Sequence, residues 1–487
     1  MLEIIRSVFW VGSATALNLL VWVVAGKVLA VMLGPAGVGL YGLLRQLAQN
    51  LNVASTFNGS TTLVQGLASR PETERPTYSR NVAVIFFWLG STVGMALIVG
   101  APWLGPHLLG KDLSPGLLRW MSLPLVGMAL SSFFLGMLNG YRHLKALVIC
   151  QALGPLAALA LIYPAALWIR AGNQWAYAVM LGIPPALIGL AAMWVSVRRG
   201  WLARPRGSGV EGAFARDSRH FFGLSTALLI GGMASTGLQL FLNTLVIRKL
   251  GLAESGQFWV AWSLSMTYVT VLLSSLGAYY LPSLSAARDH ETKKTLILSF
   301  TRLSMLAMPL MITLVIVLKA QVVGLLFSHD FSPSLKVFRW MLMGDFLKVL
   351  SWVWAFPMLA YAEGKTFVLF ETVTCSIQAI LAWVVFSQFP SIEVLGQLFC
   401  LSYLLYSAAT LGYLWRKHAI RLPLNHWWGL LRGLLVIGLA SALFWDHHGL
   451  SSLRILLALT PAILNLWVSL TETERKNAAK WILNLKR

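Results

Sequence analysis

Along this chain, apolar stretches of about 20 residues alternate with short polar segments, and Pro, Gly or charged residues mark most of the joins. This is neither the strict alternation of a half-buried strand nor the one-sided stripe of a helix on a soluble core. A bilayer sets such a period. It predicts fourteen membrane-spanning helices, at 8–32, 38–66, 80–102, 117–139, 147–169, 175–197, 221–247, 256–280, 300–326, 335–361, 365–388, 393–415, 427–445 and 452–470. Arg432 interrupts the thirteenth, and the fourteenth is short. The first apolar run lacks a small-residue cleavage pattern, so it is expected to remain as a helix.

The loops carry the orientation. With the N-terminus in the cytoplasm, 25 lysines and arginines fall on the cytoplasmic side, 8 on the other and five within spans. The excess predicts that both termini are cytoplasmic and that the number of spans is even. The longest polar stretch, 198–220, has Gly207, Ser208 and Gly209 at its middle. An internal repeat supports a division there. Leu33-Gly34-Pro35-Ala36 followed by Gly39-Leu40-Tyr41 recurs as Leu250-Gly251-Leu252-Ala253 followed by Gly256-Gln257-Phe258, an offset of 217. Gly59, Leu63, Ala68 and Arg70 recur as Gly277, Leu281, Ala286 and Arg288 at 218. The expected organisation is an N-lobe at 1–200, a cytoplasmic linker at 201–220, a C-lobe at 221–417, and a further pair of spans with a basic tail at 418–487. Six helices per lobe give both repeats one orientation. A pseudo-two-fold axis along the membrane normal then relates them around a central cavity.

Composition narrows the class. The 487 residues are 57% hydrophobic and 11% charged, where a soluble domain carries about 25% charged residues. That excludes a soluble enzyme, and the unbroken apolar runs exclude an outer-membrane barrel. The net charge of +21 would suggest nucleic acid in a soluble protein, but no basic soluble domain exists here, so the charge is read as topological. Cys150, Cys375 and Cys400 lie in apolar runs without metal-ligand spacing. No phosphate-binding glycine loop, nucleotide motif or HExxH occurs, so neither catalysis nor a cofactor or metal is expected.

The candidate chemistry lies in charges that the spans enclose, because an ionisable group at mid-membrane costs about 2.5–3.5 kcal/mol and must face protein or water. Lys27 lies in span 1. Arg45 in span 2 begins a stripe through Gln49, Asn52 and Thr56 at helical spacing, with Gln46, Asn50 and Asn58 beside it. Spans 1 and 2 hold no acid, so Lys27, Arg45, Gln49, Asn52 and Asn58 are the candidate substrate contacts. Asp345 and Lys348, three apart in span 10, and Glu371 in span 11 either couple an ion, join the lobes, or cancel locally as an Asp345–Lys348 pair. Lys319, Arg119, Arg248 and Arg432, near span ends, are read as snorkelling to the interface.

Gly26-Lys27-Val28-Leu29-Ala30-Val31, Gly34-Pro35-Ala36-Gly37-Val38-Gly39-Leu40 and Arg45-Gln46-Leu47 resemble the opening of the Wzx-type polysaccharide flippases of the multidrug/oligosaccharidyl-lipid/polysaccharide exporter superfamily. Phe57-Asn58-Gly59, Gly140-Tyr141-Arg142, Tyr280-Leu281-Pro282-Ser283-Leu284-Ser285 and Gly344-Asp345-Phe346-Leu347-Lys348-Val349 extend the likeness across spans 1–12. The branch most resembled flips lipid III, the enterobacterial common antigen precursor. That branch ends after twelve helices, and this chain continues, as related lipid II flippases do. The resemblance implies an inner-membrane transporter that moves an undecaprenyl-pyrophosphate-linked oligosaccharide to the periplasmic leaflet by alternating access. Lys27 and Arg45 would contact the pyrophosphate. Three other readings stay open: a lipid II flippase, a cation-coupled multidrug exporter, and a scaffold whose basic loops recruit a polysaccharide polymerase or bind anionic lipid.

Overall fold

The computed structural model describes residues 2–108, 115–202, 212–287, 289–445 and 451–469. The central glycines and Arg204 and Arg206 of the linker, His447, His448, Lys111, Arg288 and the basic tail from Arg475 lie outside the described residues. The elements are α1 (Leu2–Thr56), α2 (Ser60–Ala68), α3 (Arg75–Leu108), α4 (Pro115–Trp120), α5 (Ser122–Gly140), α6 (Leu144–Arg170), α7 (Ala176–Arg198), α8 (Ala213–Leu250), α9 (Leu252–Ala286), α10 (His290–Leu326), α11 (Ser334–Ala360), α12 (Gly364–Gln388), α13 (Ile392–His418), α14 (Leu424–Leu443) and α15 (Ser452–Ser469). Among the described residues, twelve helices are long and apolar enough to cross a membrane. All fourteen expected spans fall on helices; the first two run together in α1, and α9 is outside the twelve.

Local chemistry explains where the long helices break. Gly34, at φ 63° and ψ −171°, interrupts α1. Pro35 beyond it cannot donate a hydrogen bond, and only glycine adopts this conformation without strain. Gly251, at φ 94° and ψ 178°, separates α8 from α9 with the same backbone shape. The repeat in sequence is thus a repeat in conformation. Span 2 was expected to run unbroken to residue 66, but Phe57 and Asn58 have positive φ and end α1. The Asn58 amide donates to the Leu228 carbonyl at 2.7 Å, which holds the break in place.

The chain divides into two compact units. The first holds residues 1–259 and 326–330 and the second holds 260–325 and 331–487. α8 therefore packs with the first six spans. In the first unit, Leu63, Leu67, Tyr78, Phe86, Phe133, Met137 and Phe221 form one buried cluster. Arg70 seals its end. It lies 3.8 Å over the Tyr78 ring and pairs with the buried Asp217 at 3.0 Å, and Asn81 donates to the second Asp217 oxygen at 2.8 Å. In the second unit α11 is the central helix, buried along most of its length. Outside, rows of Leu, Ile, Val and Trp stand exposed, among them Trp88, Trp103, Trp383, Leu325 and Leu435. A surface so apolar suits acyl chains rather than water.

A second repeated device went unread in the sequence. α5 ends with Tyr141 and a positive-φ Arg142, and α11 ends with Tyr361 and a positive-φ Ala362. The backbone bonds match: His143 to Leu138 at one end, Glu363 to Met358 at the other. Each tyrosine then stacks on a ring that follows a later helix: Tyr141 on Trp201 after α7 at 4.1 Å, Tyr361 on His418 at the end of α13 at 4.0 Å.

The repeats also touch. A Cβ on Gly39 would collide with the Leu252 carbonyl oxygen, and one on Gly256 with the Pro35 carbonyl oxygen. These two clashes are images of each other at the offset of 217, and both lie within the first unit. Backbone cannot move aside as a flexible side chain can. Gly39→Val or Gly256→Val is expected to cost about 1–3 kcal/mol or more. Gly90→Ala, with no atom within 4 Å, should leave the melting temperature in detergent unchanged. Equal melting of Gly39→Val and Gly90→Ala would contradict the contact.

Candidate functional site

The polar stripe of α1 is two faces, not one. Gln46 and Asn50 are buried against α8. Asn243 of α8 donates to Gln46 Oε1 at 2.6 Å, and Ser255 donates to Asn243 Oδ1 at 3.2 Å. Asn50 Nδ2 donates to the Thr236 carbonyl at 3.0 Å, and Thr236 Oγ1 donates back to Asn50 Oδ1 at 3.1 Å. Buried amides that lack water must bond one another, and these do. Asn58 belongs with them, since its amide is committed to Leu228. Asn58 therefore serves as a clamp on α8, which its expected role as a substrate contact did not anticipate.

The other face holds Arg45, Gln49 and Asn52, one turn apart and half-buried. Asn52 accepts from Ser132 of α5 at 3.2 Å. Arg45 and Gln49 form no side-chain hydrogen bond or ion pair among the described residues. A guanidinium seven residues into an apolar span, without a carboxylate, is costly unless it meets water or an anion. Lys27 stands half-buried on the segment of α1 before Gly34 and has an interaction of its own.

The second unit encloses the acids. Asp345 is fully buried and accepts from Ser265 at 2.8 and 2.9 Å and from the Tyr268 hydroxyl, both on α9. Lys348 turns elsewhere. Its Nζ donates to the Met266 thioether at 2.8 Å and lies 5.3 Å from the Tyr403 ring centre. Asp345 and Lys348 are not in salt-bridge contact; each bonds a different residue of α9 instead. Glu371 accepts from Tyr406 at 3.0 Å. Lys319, read from sequence as snorkelling, is instead 2% exposed and donates to the Phe444 carbonyl at the end of α14 at 2.7 Å. An ammonium there meets the negative end of a helix. Arg248 likewise donates to the His107 carbonyl, at 2.5 and 2.9 Å.

Sequence reasoning missed Asn243, Thr236, Ser265 and Tyr268. Thr236 and Asn243 are two turns apart on one face of an apolar helix, and Ser265 and Tyr268 are three apart; the signal was present but weak.

A helical membrane protein with paired helix breaks and a half-open cationic face has the build of a transporter. Solved structures share the fold. The structure titled "Lipid II flippase MurJ, inward closed conformation" aligns with a TM-score of 0.71 at 11% identity, over 99% of this chain and 100% of that one. An inward-facing multidrug resistance MATE family transporter of the MOP superfamily aligns at 0.63 and 14%, over 88% and 95%. The chain belongs to the polysaccharide biosynthesis protein family, whose pattern matches residues 4–288. It is also 24% identical over 433 residues to the Lipid III flippases of Escherichia coli (strain K12) and Shigella flexneri, which covers 86% of this chain and the whole of each relative.

The two faces of α1 should separate in experiment. Asn243→Ala strips Gln46 of its donor and should lower stability by about 1–2 kcal/mol. Gln49→Ala should stay within about 0.5 kcal/mol. Thermal melts of the purified protein test this, and equal losses would refute the division.

Proposed function

We propose that this protein is a flippase that carries a polyprenyl-pyrophosphate-linked oligosaccharide, a surface-polysaccharide repeat unit, from the cytoplasmic to the periplasmic leaflet. The observation that carries the reading is Arg45: half-buried, unpaired among the described residues, and on one helix face with Gln49 and Asn52. The cargo has a sugar head too polar for lipid, an anionic pyrophosphate and a long apolar tail. A guanidinium grips phosphate through two parallel hydrogen bonds, and neighbouring amides suit sugar hydroxyls. Lys27 would add a point charge toward the same anion. The Lipid III flippases that match this chain over most of its length support the substrate class. Related folds titled inward-facing and outward-facing support alternating access. The loop charges support an inner-membrane setting with both termini cytoplasmic. The specific carrier, undecaprenyl, and a polymerase as partner are part of this proposal. Asp345, Lys348 and Glu371 are placed by it in ion coupling or in holding the lobes.

Lipid II is the second substrate to test, because the lipid II flippase structure aligns over the full length, including α14 and α15. A multidrug exporter for cationic compounds is disfavoured by a candidate site that is itself cationic.

In cells that lack their own flippase, the wild-type protein should restore surface glycan and clear lipid-linked oligosaccharide from the inner leaflet. Arg45→Ala should lower this at least tenfold at unchanged abundance, as expected for losing a charge-assisted contact of about 1.5–3 kcal/mol. Arg45→Lys should fall between, and Lys27→Ala should add to the defect. Full transport by Lys27→Ala and Arg45→Ala together would overturn the phosphate clamp.

A further inference from the structure

After its break at Gly34, α1 is packed on every side but one. From Val38 to Asn50 only Tyr41, Arg45 and Gln49 are half-buried, and all the other residues of that stretch are buried. Asn52, also half-buried, continues the same face, and the four side chains fall within about 80° of arc. Tyr41 stands one helical turn, about 6 Å, before Arg45. The open face therefore reads phenol, guanidinium, amide, amide. It begins one turn earlier than the stripe of strongly polar residues does.

The Tyr41 ring is held from one side. It meets Trp259 with ring centres 5.8 Å apart and planes at 81°, and its hydroxyl makes no hydrogen bond among the described residues. An edge-to-face contact, in either sense, leaves at least one face of the phenol ring to other neighbours. The repeat explains the pair. The offset of 217 makes Trp259 the counterpart of Gly42, and Phe258 the counterpart of Tyr41. A Cβ on Gly42 would collide with the Trp259 indole, so the glycine of one copy makes room for the tryptophan of the other. This contact lies one turn beyond the approach of Gly39 to Gly256. It is unequal, and the inequality sets a ring beside Tyr41 and none beside Phe258 at the matching place. Phe258 is 2% exposed, so the ring that is packed away in the second copy is left half open in the first.

A tyrosine near a span end suits the aromatic belt at a membrane surface. A belt ring shares its face with lipid, however, and a face that also carries Arg45, Gln49 and Asn52 is too costly to bury in acyl chains. Its partner must offer both apolar and polar surface. A pyranose does: one face is a patch of C–H bonds rimmed by hydroxyls, and weakly positive C–H groups pack on the negative face of an aromatic ring. Tyrosine brings such a surface with few torsions to freeze. We propose that Tyr41, propped by Trp259, is the sugar-stacking residue of this site and takes the saccharide unit joined directly to the pyrophosphate at Arg45. The inference rests on the flippase reading and adds to it which part of the cargo each residue recognises.

The test measures lipid binding to the purified full-length protein by native mass spectrometry. The probes are undecaprenyl pyrophosphate, which has no sugar, undecaprenyl-pyrophosphoryl-N-acetylglucosamine, which has one, and phosphatidylcholine. The wild type should prefer the glycosylated probe to the bare pyrophosphate by about two- to tenfold. Tyr41→Leu should abolish that preference and bind undecaprenyl pyrophosphate as before, whereas Tyr41→Phe and Tyr41→Trp, which keep a ring, should retain it. Arg45→Ala should weaken both probes. Trp383→Leu, which removes an exposed ring of α12, should match the wild type. A preference that survives in Tyr41→Leu overturns the proposal, as does its loss in Tyr41→Phe. Equal weakening of both probes by Tyr41→Leu marks a merely structural ring and also overturns it. Should Tyr41→Leu misfold, the wild type and Tyr41→Phe decide, because equal affinity of the wild type for the two undecaprenyl probes is itself a refutation. A wild type that binds both better than phosphatidylcholine but fails these tests loses only the role of Tyr41; one that binds neither better loses the flippase reading as well.

Discussion

Hydrocarbon offers a polar group no partner, and that constraint sorts the side chains of this molecule. A buried amide, hydroxyl or charge in a span must find its partner within the protein, in water, or in a ligand. Most find it within the protein. Gln46, Asn50 and Asn58 bond to α8, Asp345 to Ser265 and Tyr268, and Lys319 to the end of α14. These groups hold helices together, and their polarity alone says nothing about transport. Arg45 and Gln49 stand apart because the described protein leaves them unanswered. The candidate site is what remains after the structural bonds are subtracted.

The sequence repeat carries a second constraint. Gly39 and Gly256 meet at the Leu252 and Pro35 carbonyls in a reciprocal contact of the kind a two-fold axis produces. Gly34 and Gly251 give each copy the same sharp break a few residues earlier. The break sets the direction in which the next segment leaves, and the close approach fixes how near the copies come. Neither substitution to a larger residue nor a shift of one copy would leave both satisfied. The segment with Arg45, Gln49 and Asn52 begins directly after this point, so the backbone contact positions the cationic face.

The architecture was largely legible in the sequence because a bilayer imposes a period that no local packing erases. Every expected span falls on helical segments, the second of them broken at Phe57 and Asn58, and Gly34 and Gly251 share one backbone shape. The site was legible only in part. Helical spacing places Arg45, Gln46, Gln49 and Asn50 near one another on α1, but it is silent about which neighbour covers which edge. That neighbour is α8, whose single asparagine in an apolar run carries little weight by itself. Lys319 failed for the same reason: proximity to a span end suggests an escape to the interface, whereas a helix C-terminus lay within reach. Asp345 and Lys348 share a helical face, yet Asp345 bonds the hydroxyls of α9 and Lys348 the Met266 thioether. Spacing along one helix cannot rank a partner on the same helix against one on another.

The net charge of +21 also reads differently in three dimensions. Loop arginines and lysines explain most of it as topology. The five within spans, Lys27, Arg45, Lys319, Lys348 and Arg432, are not explained that way. A protein that only needed to sit correctly in the membrane would gain nothing from these, since each adds insertion cost without adding to the loop bias. Lys319 and Lys348 are answered within the second unit by the Phe444 carbonyl and the Met266 thioether, whereas Arg45, whose planar fork and weak hydration suit an anion, meets no hydrogen-bond partner among the described residues.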